Sequence, residues 1–130
     1  MPVPKKNSHR RKVMRRKNEL TRAKRIPTKT QVIKLLQREM PRLHEKYGVV
    51  RLGLYGSIVK GTAKKTSDID LLVEFEKPLG WEFVAFADEL EETLGRKVDV
   101  ATFSNWRRSL ANPRRRPIAE DVERTLVYVE

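Results

Sequence analysis

Residues 56–73 read GSIVKGTAKKTSDIDLLV, and this stretch contains the two features that decide the fold. It opens with a glycine–serine turn at 56–57, which follows the apolar run 49–55 (VVRLGLY). It closes with a second apolar run whose start carries two aspartates one residue apart, Asp68 and Asp70. Apolar runs of about 4–8 residues bounded by turn-forming residues are typical of buried strands, so we predict a strand, a turn and a second strand here.

Helical periodicity and capping residues predict helices on both sides of this unit. The predicted elements, in chain order, are a helix from Thr28 or Thr30 to Gly48, a strand over 49–55, a short helix from Ser57 to about Thr62, a strand over 69–75, a helix over 80–94, a strand over 97–103 and a helix from Pro117 to about Val127. This order predicts an α/β fold, a small mixed sheet with flanking helices.

The charge of the chain is unevenly distributed. The formal net charge is +12, but residues 1–29 hold 12 lysines and arginines and one acid, whereas residues 30–130 hold 17 basic and 16 acidic residues. We therefore predict a basic, disordered N-terminal arm over 1–27, with too few large apolar residues to bury, and one domain over 28–130. Such an arm is either a solvated tail or a contact for RNA, DNA or an acidic protein.

Composition excludes several classes of protein. The chain has no cysteine, which rules out disulfides and thiolate metal sites. No apolar run approaches the roughly 20 residues that span a bilayer, and the N-terminus lacks the apolar stretch of a signal peptide. We expect a soluble cytoplasmic protein that does not enter a membrane.

The glycine–serine turn is suited to binding phosphate. Gly56 allows a tight turn and the close approach of a ligand to the backbone. The short helix predicted after it has free N–H groups that point back toward the turn, where they attract anions. The Ser57 hydroxyl adds a donor, Lys60 lies within reach of an anion, and Gly61 ends the turn. Many Gly-Ser pairs are ordinary loops, so this turn indicates a phosphate site only in combination with the aspartates that follow it.

Three aspartates on two strands form a candidate metal site. Asp68 and Asp70 stand at positions i and i+2 and so project to the same face of a strand. Two carboxylates about 4 Å apart repel by roughly 4 kcal/mol at an effective dielectric of about 20, which favours protonation of one or binding of a cation. Asp99, between Val98 and Val100, joins them if the third strand pairs with the second. Such oxygen ligands suit Mg²⁺ or Mn²⁺; the alternative is a set of solvated strand ends.

These residues resemble a known family. The glycine–serine turn, Gly61 and the run 67–73 (SDIDLLV) are similar to the signature of the minimal nucleotidyltransferases of the DNA polymerase beta superfamily. The antitoxin partners of HEPN proteins in prokaryotic toxin–antitoxin pairs belong to that group. With Asp99 in place, the order of elements extends the likeness over roughly 30–130.

The resemblance implies a polymerase beta palm-like fold and a metal-dependent transfer of a nucleoside monophosphate, AMP from ATP, to a hydroxyl group, with release of pyrophosphate. The site residues that it implies are Gly56, Ser57, Lys60, Gly61 and Ser67 for the nucleotide, and Asp68, Asp70 and Asp99 for catalysis and for two Mg²⁺ ions. Where the family often has an arginine before the second glycine, this chain has Lys60, which keeps the charge but loses the bidentate fork.

Three functions remain open at this point. The resemblance favours transfer of AMP to a protein, most simply a HEPN-type toxin that is thereby silenced. The basic arm favours addition of nucleotides to RNA, such as a tRNA 3′ end, and a binding-only antitoxin is the third alternative. A domain of about 100 residues has no room for a separate acceptor-binding domain, so the acceptor must be recognised by a partner surface, an oligomer or the arm.

The sequence also predicts which of the other aromatic and basic residues are buried and which are exposed. We predict that Trp81, Phe83 and Phe86 lie in the core on the apolar side of a helix. Trp106, which two arginines follow, is the better candidate for an exposed contact. The arginine run 114–116 is either solvated or faces a triphosphate or an acidic partner.

Overall fold

A computed structural model describes residues 26–130, in which five helices flank one four-stranded sheet. The elements in chain order are α1 (Lys29–Tyr47), β1 (Val49–Tyr55), α2 (Ser57–Lys60), β2 (Ile69–Phe75), α3 (Glu82–Leu94), β3 (Val98–Thr102), α4 (Phe103–Ala111), α5 (Arg116–Thr125) and β4 (Val127–Tyr128). The predicted mixed α/β sheet with flanking helices is confirmed.

The topology of the sheet brings three strand ends to one edge. The strand order is β3-β2-β1-β4, with β1 antiparallel to both β2 and β4. β2 and β3 are parallel, and α3 provides the crossover that parallel neighbours require. The end of β1 therefore lies beside the starts of β2 and β3, which is where the glycine–serine turn and the aspartates occur.

The two faces of the sheet are covered by different helices. One face packs against α1 and α3 to form the main core, which includes Leu36, Leu54, Leu71 and Phe86. On the other face, a Cβ atom at Gly53 would lie 2.6 Å from Leu126 Cδ1 and 3.6 Å from Phe103 Cζ, so the glycine lets Leu126 and Phe103 pack closely against β1.

The boundaries of α1 follow the predicted signals. Thr28 Oγ1 accepts a hydrogen bond from the Gln31 amide at 3.1 Å, and the Gln31 side chain accepts one from the Thr28 amide at 2.9 Å, which completes a capping box. Gly48 ends the helix with φ 75°, a conformation that favours glycine. Of the two predicted starts, Thr28 is the N-cap.

Two elements near the C-terminus were missed. The third strand stops at Thr102 instead of 103, because Thr102 Oγ1 accepts the Asn105 amide at 3.0 Å and so caps α4, a helix that was not predicted. The last helix ends at Thr125, and the chain then forms β4 against β1. Trp106 is only partly buried, but its Nε1 donates to Ala119 O at 2.9 Å, so it joins α4 to α5 and is not a free contact.

The placement of Trp81 in the core was wrong. Its side chain is 91% exposed, whereas Phe86 is buried and Phe83 is partly buried, as predicted. α3 begins only at Glu82, so Trp81 precedes the helix and lies off its buried stripe. Val84 is within α3 but lies about 200° around the helix from Phe86, so it also points away from the core and is 58% exposed.

The predicted arm covers residues 1–27. Residues 1–25 lie outside the described part of the chain, and residues 26 and 27 lie within it. Ile26 packs against the core and Pro27 is buried, so both belong with the domain. Within 26–130, no helix is long and apolar enough to cross a membrane.

Candidate active site

The register of the sheet places a tyrosine and two aspartates side by side. Tyr55 pairs with Asp70 across β1 and β2, and Asp70 pairs with Asp99 across β2 and β3. Directly paired residues project from the same face of a sheet, so the three side chains form a row across its edge. The structure thus brings together two of the three aspartates singled out in the sequence.

The electrostatics of this row show how closely the carboxylates interact. Burial, and then the negative charges of Asp99 and Asp68, raise the pKa of Asp70 to about 6. Burial, and then Asp70 and Asp99, raise the pKa of Tyr55 to about 12, so its phenol stays neutral near pH 7. All three carboxylates therefore contribute to one region of negative potential, centred on Asp70.

The donor set fits an oxygen-preferring divalent cation. Asp68 lies in the loop just before β2 and is exposed, and its effect on the pKa of Asp70 is smaller than that of Asp99. Within the described residues, no three acidic, histidine or cysteine side chains are already placed as a complete metal site. However, Asp70 and Asp99 are held side by side against their mutual repulsion, and a bound divalent cation would relieve that repulsion.

Gly56 lies directly against Asp70. Its backbone has φ 82° and ψ −147°, a region that glycine alone populates readily. A Cβ atom at this position would lie 2.3 Å from Asp70 Oδ2. The glycine therefore allows the turn after β1 to touch the carboxylate row.

The turn continues into α2, which is one turn long and ends two residues earlier than predicted. The Lys60 amide donates to Gly56 O at 3.0 Å, so the amides of Ser57, Ile58 and Val59 have no acceptor within the helix. Gly61 ends the helix with φ 78°. Free amides beside a lysine are suited to a triphosphate.

Thr125 holds the turn from the far end of the chain. The Gly56 amide donates to Thr125 Oγ1 at 3.0 Å, and that hydroxyl donates to Val122 O at 3.3 Å within α5. Sequence reasoning missed this residue, because a threonine at a helix end carries no signal for a contact 69 residues away.

We expect Thr125→Val to lower kcat/KM for ATP by about tenfold, because an unpaired Gly56 amide costs about 1–3 kcal/mol and each 1.4 kcal/mol is a factor of about ten. Thr125→Ser keeps the hydroxyl and serves as the matched control. Steady-state kinetics at varied ATP would measure the effect. Unchanged kinetics in Thr125→Val would show that the hydrogen bond to Gly56 does not position the turn.

Arg96 and Ser67 hold the loop that leads into the aspartates. Arg96 Nη2 donates to the carbonyl oxygens of Lys64 and Lys65 at 3.1 and 2.6 Å. The Ser67 carbonyl lies 3.4 Å from the same nitrogen, and its hydroxyl accepts the Lys64 amide at 2.9 Å. The structure therefore gives Ser67, which was predicted to bind nucleotide, a partner inside the loop that positions Asp68.

Removal of one charge from the row should stabilise the metal-free protein. The pKa of Asp70 is raised above its ordinary value of 3.8, so the folded state binds the proton more readily than the unfolded state does. The contribution of Asp70 to the free energy of unfolding therefore falls as the pH rises through about 6. In Asp99→Asn at about pH 7, we expect the free energy of unfolding to rise by up to about 1 kcal/mol. The gain is this small because solvent screens the repulsion between partly exposed carboxylates.

Urea unfolding with a chelator would measure this difference at about pH 7 and at about pH 4, where it should vanish because Asp70 is protonated. Asp68→Asn is the matched comparison, and its effect should be smaller because Asp68 affects Asp70 less. A destabilised Asp99→Asn at about pH 7 would contradict the repulsion between the paired carboxylates.

The small mixed sheet, with paired aspartates beside a glycine–serine turn, is the arrangement that the resemblance to nucleotidyltransferases implies. The family model described as "Nucleotidyltransferase domain" matches residues 33–126. The chain therefore belongs to the nucleotidyltransferase family and is a nucleotidyltransferase enzyme.

Named relatives and solved structures refine this assignment. Protein adenylyltransferase MntA of Thermococcus cleftensis is 35% identical over 103 residues, which cover 78% of this chain and 96% of that protein. A structure described as that of a candidate minimal nucleotidyltransferase is 29% identical, with a TM-score of 0.53 over 73% of this chain and 90% of the other. A toxin–antitoxin structure with AMP-PNP shares the fold, with a TM-score of 0.53 and 19% identity over 72% of each chain. The resemblance to minimal nucleotidyltransferases is confirmed.

Proposed function

We propose that this protein transfers AMP from ATP to a hydroxyl group of a partner protein in a Mg²⁺-dependent reaction, and that it is the antitoxin of a cytoplasmic pair whose toxin is of the HEPN type. The observation that carries the proposal is the pairing of Asp70 with Asp99 beside the Gly56 turn. The protein acceptor is supported by the likeness to MntA, which is named a protein adenylyltransferase, and the nucleotide by the toxin–antitoxin structure that contains AMP-PNP.

Asp68, Asp70 and Asp99 would hold the metal ions through carboxylate oxygens, the donors that Mg²⁺ prefers. Metal ions held by these carboxylates would neutralise charge on the triphosphate and lower the pKa of the attacking hydroxyl. The rigid pairing of Asp70 with Asp99 would fix these donors in place before substrate arrives.

The remaining groups bind and position the substrates. The amides of the turn and Lys60 bind the triphosphate, with Gly56 kept in place by Thr125. The acceptor oxygen forms a bond to the α-phosphorus while the bond to the bridging oxygen breaks, and pyrophosphate leaves with that electron pair. The hydroxyl proton passes to the carboxylate of Asp99. Positioning and charge neutralisation supply most of the rate enhancement in such transfers.

The test is incubation of the full chain with ATP labelled at the α-phosphate, Mg²⁺, and either total tRNA or the purified protein encoded by the adjacent gene. Label on the protein, lost when a chelator is added, is the expected result. The other nucleoside triphosphates, labelled in the same way, establish the preferred base. Absence of label from both acceptors would overturn the proposal and leave the binding-only antitoxin.

RNA is a second candidate acceptor, favoured by one observation. Residues 1–25 hold 11 lysines and arginines and one acid, and they join the domain at Ile26. In the same assay, label on tRNA would support this alternative, provided that labelling falls steeply with salt, as binding through phosphates does.

A further inference from the structure

A groove of about 380 Å³ lies at the opposite end of β2 and β3 from the paired aspartates. The residues that line it include Phe75, Leu79 and Phe83, which are apolar, and Ser104, Arg107 and Arg108 from α4. The groove begins at Val73, three residues beyond Asp70 on β2, so it extends from about 10 Å to about 16 Å from the carboxylate row at about 3.3 Å per residue. It is therefore separate from the site of chemistry.

The charge at the rim of this groove is positive and unpaired. Within residues 26–130, Arg107 and Arg108 form no ion pair, and Arg108 donates only to the side chains of Ser104 and Asn105. Glu74 is the acid that lines the groove, and it is already paired with Arg51 at 2.6 Å. Two exposed guanidinium groups are thus available to carboxylates from outside.

The surrounding sequence concentrates this positive charge. Residues 100–119 contain five arginines and no acid, and all five arginines are exposed. The rest of residues 30–130 holds 12 basic and 16 acidic residues. Residues 30–130 outside this stretch therefore carry a net negative charge, and Arg107 and Arg108, which line the groove, attract an acidic partner to it.

Apolar side chains beside the groove are exposed to an unusual degree. Trp81 stands in sequence between Leu79 and Phe83, which line the groove, and is 91% exposed. Val84, in the first turn of α3, is 58% exposed. Tryptophan and arginine are the residues most enriched among those that dominate binding energy at protein interfaces. Tryptophan and arginine also occur together at nucleic-acid sites, so the observation that favours a protein partner is the apolar lining of the groove, which accepts an aliphatic or aromatic side chain.

We propose that the acceptor protein docks here through a segment that places an apolar side chain in the groove and carboxylates against Arg107 and Arg108. The role of the occupant as acceptor rests on the proposed function, whereas the binding itself does not. Docking about 10 to 16 Å from the carboxylate row would hold the acceptor while its hydroxyl reaches the α-phosphorus.

The first test uses two labelled peptides that share a central Phe-Leu pair, flanked by glutamates in one and by lysines in the other. Fluorescence anisotropy with the full chain, without ATP or metal, measures their binding. We expect at least about tenfold tighter binding of the acidic peptide, and a loss of at least about tenfold in Arg107→Glu/Arg108→Glu. Trp81→Ala should weaken binding several-fold.

Matched controls separate docking from general charge and exposed apolar area. Arg38 on α1 is exposed and forms no ion pair within residues 26–130, and Ile118 on α5 is 71% exposed. Arg38→Glu and Ile118→Ala should leave peptide binding within about twofold of wild type. Equal binding of both peptides, equal loss in the controls, or displacement of the acidic peptide by a uridine oligonucleotide would overturn the proposal.

The second test places the same variants in the transfer assay. We expect Arg107→Glu/Arg108→Glu to raise KM for the protein acceptor at least about tenfold and to leave KM for ATP unchanged, because the groove is remote from the turn. If the wild-type chain labels no protein, the proposed function fails, while the peptide result still decides whether the groove binds an acidic apolar segment. An unchanged acceptor KM would overturn the role of the groove in docking the acceptor.

Discussion

Asp70→Asn is expected to lower AMP transfer about a thousandfold while leaving the fold intact. Asp70 is the central member of the row, paired with Tyr55 on one side and with Asp99 on the other. In the proposed mechanism, the substitution removes a carboxylate that would hold a metal ion, an effect worth several kcal/mol in such sites, and 1.36 kcal/mol corresponds to a factor of about ten. Because asparagine has the same shape and relieves repulsion, the free energy of unfolding should stay the same or rise.

Initial rates of transfer, circular dichroism and urea unfolding would measure the two effects separately. Asp88→Asn is the matched control, because Asp88 is an exposed aspartate on α3. Its rate should equal that of the wild type. Transfer by Asp70→Asn within about tenfold of the wild-type rate would remove Asp70 from the catalytic site.

Gly56→Ala should reduce both stability and transfer. The added Cβ atom would lie 2.3 Å from Asp70 Oδ2, and the backbone at φ 82° and ψ −147° is strained for any residue with a side chain. Such strain costs about 1–3 kcal/mol, and the clash with the carboxylate adds to it, so we expect a loss of about 3 kcal/mol in the free energy of unfolding. Transfer should fall below detection, because either the turn or Asp70 must move.

Gly61→Ala is the matched control for stability. Gly61 also has a positive φ, 78°, but its ψ of 18° is in the left-handed helical region, and nothing lies within 4 Å of an added Cβ atom. Its cost should be about 1 kcal/mol, the usual value for that region. Urea unfolding of both variants measures the difference, and similar losses would mean that Asp70 moves aside without cost.

Local signals in the sequence predicted the elements that form the site. Thr28 with Gln31 marks the start of α1, and alternation around Asp70 and Asp99 indicates which face of each strand they occupy. These signals depend on residues close together in the chain. From the sequence alone, Asp99 joins the other aspartates only on the assumption that the third strand pairs with the second, and the structure supplies the parallel register that joins it to Asp70.

Contacts between distant residues could not be predicted in this way. Tyr55 joins the row only because β1 is antiparallel to β2 in one particular register, and Thr125 meets Gly56 only after α5 has packed on the sheet. Phe103 is an aromatic residue, a type that favours strands, and it directly follows β3, so the cap formed by Thr102 was overlooked. Trp81 was misplaced because its apolar character was counted without its position before the first turn of α3.

The close contact between Gly56 and Asp70 has a thermodynamic consequence. Because the turn and the carboxylate touch with no space for a methyl group between them, a shift of one bears directly on the other. The affinities for the proposed nucleotide and cation should therefore be linked, and by reciprocity each ligand must change the affinity of the other by the same factor.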